Sequence, residues 1–151
     1  MQHLLEITRT NRRLLEKILN AHSLEQLNTV PEGFQNNLIW NIAHVIVTQQ
    51  LLAYKLSGLP MMVSDEMVAK FKKGTKTEGV VSQEEVDQVR SLLFTTLDQT
   101  EKDIEAGIFK SFQEYPTSTG FVLKSIEDAM NFNNFHEGIH FGYVLALKKA
   151  L

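Results

Sequence analysis

The chain has 151 residues, 43% of them hydrophobic, which is enough for one ordinary core and sets the expectation of a single domain over residues 1–151. A net charge of −3 gives no electrostatic case for a nucleic-acid partner, which favours an excess of clustered Lys and Arg. Zero cysteines exclude disulfides, thiolate ligands and a cysteine nucleophile, so any thiol chemistry needs a thiol supplied from outside the chain.

Met1 to Leu14 carries Glu6, Arg9, Arg12 and Arg13 among its leucines and does not have the apolar run of a signal peptide. No later apolar run is long enough to span a membrane, since His44, Thr48, Gln49 and Gln50 interrupt the richest one. A cytoplasmic protein without a membrane partner is the expectation.

Four stretches have helical periodicity. The first, about Gln2 to Asn20, sets Leu4, Ile7, Leu14 and Ile18 at helical intervals and leaves Arg9, Arg12, Arg13 and Lys17 for solvent. Pro31 and Gly33 break the chain. Asn36 or Asn37 then caps a second helix that runs through Ile42, Val45 and Leu52 to Ser57-Gly58. Roughly two dozen residues follow, Gly58 to Val81, with a short helix near Ser64 to Phe71. That length exceeds what an antiparallel hairpin needs and predicts a long crossover. Ser82-Gln83-Glu84-Glu85 is a capping box opening the third helix, whose apolar face is Val86, Val89, Leu93, Leu97 and Ile104. The fourth helix is expected from about Gly120 to Lys149. No strand-like alternation competes, and the fold class is all-α, a four-helix bundle.

Three of the five histidines form a candidate site. His136 and His140 are spaced i, i+4 and leave one helix face a turn apart. His44 lies about seven residues into the second helix, roughly 10 Å from its start, and the pair lies roughly 14–20 Å from the end of the fourth. The three rings reach one level only if these helices are antiparallel. Asn41, Thr48, Asn133 and Tyr143 lie one turn from these histidines, where they can orient a ring or a substrate. His3 and His22 have no partner at ligand spacing. His136-Glu137-Gly138-Ile139-His140 is also a literal H-E-x-x-H, the zinc peptidase pattern with Glu137 as general base. Against that reading, only 11 residues follow His140 and no strand is available to bind an extended peptide.

The order Trp40-Asn41-Ile42-Ala43-His44, a long connection, then His136-x-x-x-His140 followed by Phe141-Gly142-Tyr143 resembles the DinB-like (DinB/YfiT) metal-binding four-helix bundles over essentially the whole chain. The resemblance implies up-down-down-up topology with the long crossover between helices 2 and 3, and a divalent ion held by His44, His136 and His140. The ion would be nickel or zinc first, with iron or manganese as alternatives. Glu137 stands outside that metal triad. The resemblance also implies frequent homodimers and S-transferases that use low-molecular-weight thiols such as bacillithiol or mycothiol.

Three neutral imidazoles leave a divalent ion its full charge and an open position, the arrangement of catalytic sites. A small-molecule enzyme is therefore expected, with an ion-activated thiolate or hydroxide as nucleophile. A hydrolase and a non-catalytic metal-binding or dimeric interaction module are the alternatives. No residue is assigned as catalytic beyond the ligands. The lysines of Lys72-Lys73-Gly74-Thr75-Lys76-Thr77 would arrive near the mouth of the site and could attract an anionic cosubstrate. Gly138 and Gly142, flanked by Phe135 and Leu145 on the other side of the fourth helix, suggest close approach of a second copy, since a mid-helix glycine costs about 1 kcal/mol relative to alanine.

Overall fold

The computed structural model describes all residues, 1–151. Its long helices are α1 (Gln2–Ala21), α3 (Leu38–Ala53), α5 (Gln83–Glu105) and α6 (Ile126–Ala150), and its short ones are α2 (Leu24–Asn28) and α4 (Asp65–Phe71). The Asn37 side chain accepts from the Trp40 amide at the start of α3. The capping box at Ser82 and Glu85 closes in both directions at the start of α5. α3 ends at Ala53 in a 3₁₀ turn, Lys55–Ser57, stopped by Gly58 at φ 70°. Leu56 therefore lies in that turn and not in the helix.

Side-chain contacts between the long helices give their directions. Thr8 bonds Asn134 and Arg12 bonds Glu137, so α1 and α6 run parallel. Asn41 meets His140 and His44 meets His136, so α3 and α6 run antiparallel. Arg9 reaches Asp98 and Glu101 while Asn20 meets Arg90, which sets α5 antiparallel to α1. Gln49 bonds Thr100 and Tyr54 bonds Asp103, which sets α5 parallel to α3. The result is the expected all-α, up-down-down-up bundle. The crossover that makes it possible runs back along α3: Phe71 lies at the level of His44, Thr75 at Trp40 and Thr77 at Asn37.

α3 occupies the middle of the bundle, and 14 of its 16 residues are buried. A helix apolar on all sides needs cover on all sides, and α2, α4, α5 and α6 all pack against it. The main core joins Leu15 and Leu19 of α1, Leu38, Ile42 and Ile46 of α3, Leu93 of α5, and Val144 and Leu147 of α6.

Several expectations change. α1 turns the seam Leu5, Thr8, Arg12, Leu15, Leu19 inward, so Arg12 is 1% exposed and not a solvent residue, while Ile7, one step off the seam, is 40% exposed. α6 begins at Ile126 and not near Gly120, because Gly120 sits at φ 86° in a turn and Ser125 supplies the cap to the Asp128 amide. Ahead of it, Tyr115–Pro116 and Val122–Leu123 form a small antiparallel ribbon that was not expected. Each strand has two residues, too short for alternation to register. The segment before the ribbon is tied to the end of α3 by the Gln113 amide on the Leu56 carbonyl and the Ser111 hydroxyl on the Ser57 carbonyl.

Candidate metal centre

Antiparallel packing of α3 on α6 brings His44, His136 and His140 together, each offering a ring nitrogen within 4.8 Å of the others. The Nε2 atoms of His44 and His136 are 3.2 Å apart. For a tetrahedral ion with metal–nitrogen bonds of about 2.0–2.1 Å, ligand nitrogens stand roughly 3.3–3.4 Å from one another. This pair is within about 0.2 Å of that spacing and all three nitrogens lie within 4.8 Å of one another, so the donor set fits a divalent cation.

The outer nitrogens are held as ligands require. His44 Nδ1–H donates to the Phe71 carbonyl at 2.6 Å and His140 Nδ1–H donates to Asn41 Oδ1 at 2.9 Å. Each bond puts the proton on Nδ1, frees the Nε2 lone pair and fixes the ring plane. His136 Nδ1 is buried and has no protein partner. The Thr48 hydroxyl lies 3.3 Å from His44 Nε2. Trp40, one turn before His44, stacks on its imidazole with centroids 4.7 Å apart and planes 11° from parallel.

The rings are neutral. Burial, then the charges of His140, His44, Arg12 and Lys73, lower His136 to about 3. Burial, then His44, lowers His140 to about 4. Burial also lowers His44, against the opposing effect of the Phe71 carbonyl. Neutral imidazoles keep their lone pairs for a cation down to acidic pH.

Two of the four accessory residues are where the sequence suggests, Asn41 on His140 and Thr48 on His44. Asn133 Nδ2 donates to Glu137 Oε1 at 2.9 Å, while its Oδ1 is buried without a partner, as is His136 Nδ1 one turn on. Tyr143 borders the same cavity but packs edge-on against Phe34, with centroids 5.4 Å apart. His3 pairs with Glu6 at the surface and His22 with the Ile18 carbonyl, and neither joins the cluster.

Glu137 is the largest departure. It is fully buried in an ion pair with Arg12, whose Nη2 lies 2.8 Å from Oε1. The remaining Arg12 donors reach the carbonyls of Leu93 and Val45 at 3.4 Å, so one guanidinium touches α3, α5 and α6. The carboxylate has no free face toward the cavity and cannot serve as a peptidase base. No periodicity marks this pair in the sequence, since Arg12 and Glu137 are 125 residues apart. The Phe71 carbonyl was equally unreadable, because a backbone acceptor leaves no signature in residue type.

The imidazoles border a cavity of about 1170 Å³ between α3 and α6. Lys73, Thr75 and Lys76 of the crossover bound it at one end, with Trp40 and Asn41. Gln113, Tyr115 and Thr119 bound it at the other, with Leu52 and Leu56. No helix is long and apolar enough to cross a membrane.

The sequence profile of the DinB superfamily matches residues 7–144. Among solved structures, a conserved protein from Enterococcus faecalis superposes with a TM-score of 0.70 over 99% of this chain and 95% of that one, at 12% identity. At that identity the likeness shows the fold alone. No curated protein matches the chain.

Proposed function

The chain belongs to the DinB superfamily, and from that membership and its clustered imidazoles we propose a divalent-metal-dependent enzyme that acts on small molecules, of the thiol-dependent S-transferase type. The observation that carries this reading is the set of three neutral ring nitrogens within 4.8 Å, two of them oriented through Nδ1, on the wall of a large cavity. Nickel or zinc suits three imidazoles best, with iron or manganese next. Such an ion, when bound, acidifies a coordinated thiol or water near neutral pH. The chain's own residues do the rest. Phe71 and Asn41 hold the rings in place, Thr48 offers a hydroxyl beside His44, and the bundle walls limit solvent access. Because the chain has no cysteine, the thiol must enter as a cosubstrate, and the cavity is large enough for two small molecules.

The test has two stages. Elemental analysis of metal-replete protein is expected to find about one divalent ion per chain, lost in His44→Ala and His140→Ala; retention by both variants would refute the site. A panel crossing thiols with electrophiles, run beside ester and amide substrates, separates transferase from hydrolase. A loaded but inert protein would support the binding module instead.

We also propose a homodimer through the outer side of α6. A Cβ added at Gly138 or Gly142 meets nothing within 4 Å, so packing inside the chain does not account for either glycine. Leu145 on the same helix is 40% exposed, whereas Phe135, expected on that side, lies with Ile139 on the wall of the imidazole cavity. Sedimentation at micromolar concentration is expected to give a dimer.

A further inference from the structure

The walls of the cavity differ along the axis of α3. At the level of Trp40 the crossover supplies Lys73 and Lys76 on either side of Thr75, whose hydroxyl oxygen accepts the Trp40 indole N–H at 3.2 Å. Neither lysine has an ion-pair partner, whereas Lys70 beside them is held by Glu85. Glu78 is the only carboxylate in the cavity wall, so the free charges at this end, Lys73 and Lys76 against Glu78, leave it net positive in a chain whose net charge is −3.

Past the imidazoles the helices supply an apolar wall, facing the polar Gln113, Thr117 and Thr119 of the ribbon segment. Leu52 lies eight residues after His44, about 12 Å further along the helix, and Leu56, Phe132 and Phe135 face the same space. Phe132 stacks with Phe121 and tilts against Phe135, with centroids 6.4 and 5.8 Å apart, so the aromatic surface continues beyond the cavity onto the ribbon. Phe121 and Phe135 are more than half exposed, an uncovered apolar area next to an open cleft. Lys55 borders this end from the solvent side, with an exposed head that leaves the apolar floor free.

The geometry points to an organic anion as the substrate class of this cavity: a carboxylate or phosphate head at Lys73 and Lys76, and an apolar body along Leu52, Leu56, Phe132 and Phe135, passing the three imidazoles. It rests on the proposed reading of the cavity as a substrate site and adds the charge and polarity of what enters. The lysines recognise the head whether or not a metal is bound, which allows the two readings to fail separately.

Trp40 is the only tryptophan and lines the cavity, so its fluorescence reports occupancy without turnover. Decanoate, decyl phosphate, decanol and acetate are titrated into zinc-loaded and zinc-free protein at low ionic strength. Each exposed lysine is worth a factor of roughly two to five for an anion. Decanoate or decyl phosphate is therefore expected to bind about tenfold more tightly than decanol, the gap narrowing in 0.5 M salt as screening predicts. Which of the two anions binds more tightly identifies the head. Acetate is expected to bind weakest, because it has no apolar body. Lys73→Gln/Lys76→Gln should remove the preference for anions, and Lys124→Gln, outside the cavity, should keep it. Equal binding of decanoate and decanol, or of decanoate and acetate, would overturn the proposal. So would a preference that survives the double lysine variant and disappears with zinc, which would put the head on the metal. Failure of the protein to bind zinc while the anion preference persists would refute the metal reading alone.

Discussion

Replacing Glu137 with glutamine tests the buried ion pair at the centre of the bundle. The variant keeps the shape and one carbonyl acceptor but removes the charge opposite Arg12, which is 1% exposed and otherwise has only two carbonyl contacts at 3.4 Å. An uncompensated buried cation costs about 3–5 kcal/mol. For a chain of this size each kcal/mol moves Tm by about 2–4 °C, so a fall of roughly 10–15 °C is expected by thermal circular dichroism. Removing both charges, as Arg12→Met/Glu137→Leu, abolishes the desolvation cost along with the attraction and should leave stability within about 2 kcal/mol of the parent. A loss below about 1 kcal/mol in Glu137→Gln would refute the reasoning, as would a double variant no more stable than the single one. The same variant separates two roles for the residue: a general base would lose hydrolysis at unchanged Tm, whereas a buried counter-ion loses Tm.

Acid should destabilise the metal-free protein through its imidazoles. The pKa values of His136 (about 3) and His140 (about 4) lie below the unfolded value near 6.5. Between those limits the unfolded chain binds more protons, so the stability is fully present above about pH 6.5 and is lost as pH falls toward 4 and below; urea midpoints measured from pH 7 to 4 that do not fall would contradict this. Because these rings stay neutral well below the usual histidine range, metal should be retained at pH 5, followed by elemental analysis after dialysis. Nickel or cobalt should quench Trp40 emission because its indole stacks on His44, and the quenching should vanish in His44→Ala. Asn41→Ala removes the acceptor that orients His140 and should weaken metal affinity about 10–100-fold at nearly unchanged Tm.

The four long helices were readable because periodicity, caps and breakers are local. The capping box at Ser82 and Glu85, the cap at Asn37 and the short helix of the crossover all form as their residues suggest. The three histidines were readable as well, since the i, i+4 spacing on α6 and the depth of His44 in α3 allow a meeting in one antiparallel arrangement, which the side-chain contacts between α3 and α6 establish. Thr48 followed from the same one-turn arithmetic, whereas Asn41 stands one turn from His44 but bonds His140 across the helix interface.

Which way a side chain faces was a tertiary decision. Arg12 reads as a solvent residue and Glu137 as the glutamate of an H-E-x-x-H until α1 and α6 are laid side by side. Only then does each become the counter-ion that makes burial of the other tolerable. The Asn133 amide nitrogen donates to the Glu137 carboxylate, which is buried beside it only because Arg12 faces it. Phe71 supplies a carbonyl to His44 only because the crossover returns along α3. The sequence by itself determined the helices, their caps and the three imidazoles, since all of these depend on local spacing. Only the packed bundle decided their orienting partners, the inward face of α1 and the charge along the cavity, since these depend on residues up to 125 positions apart meeting where water is excluded.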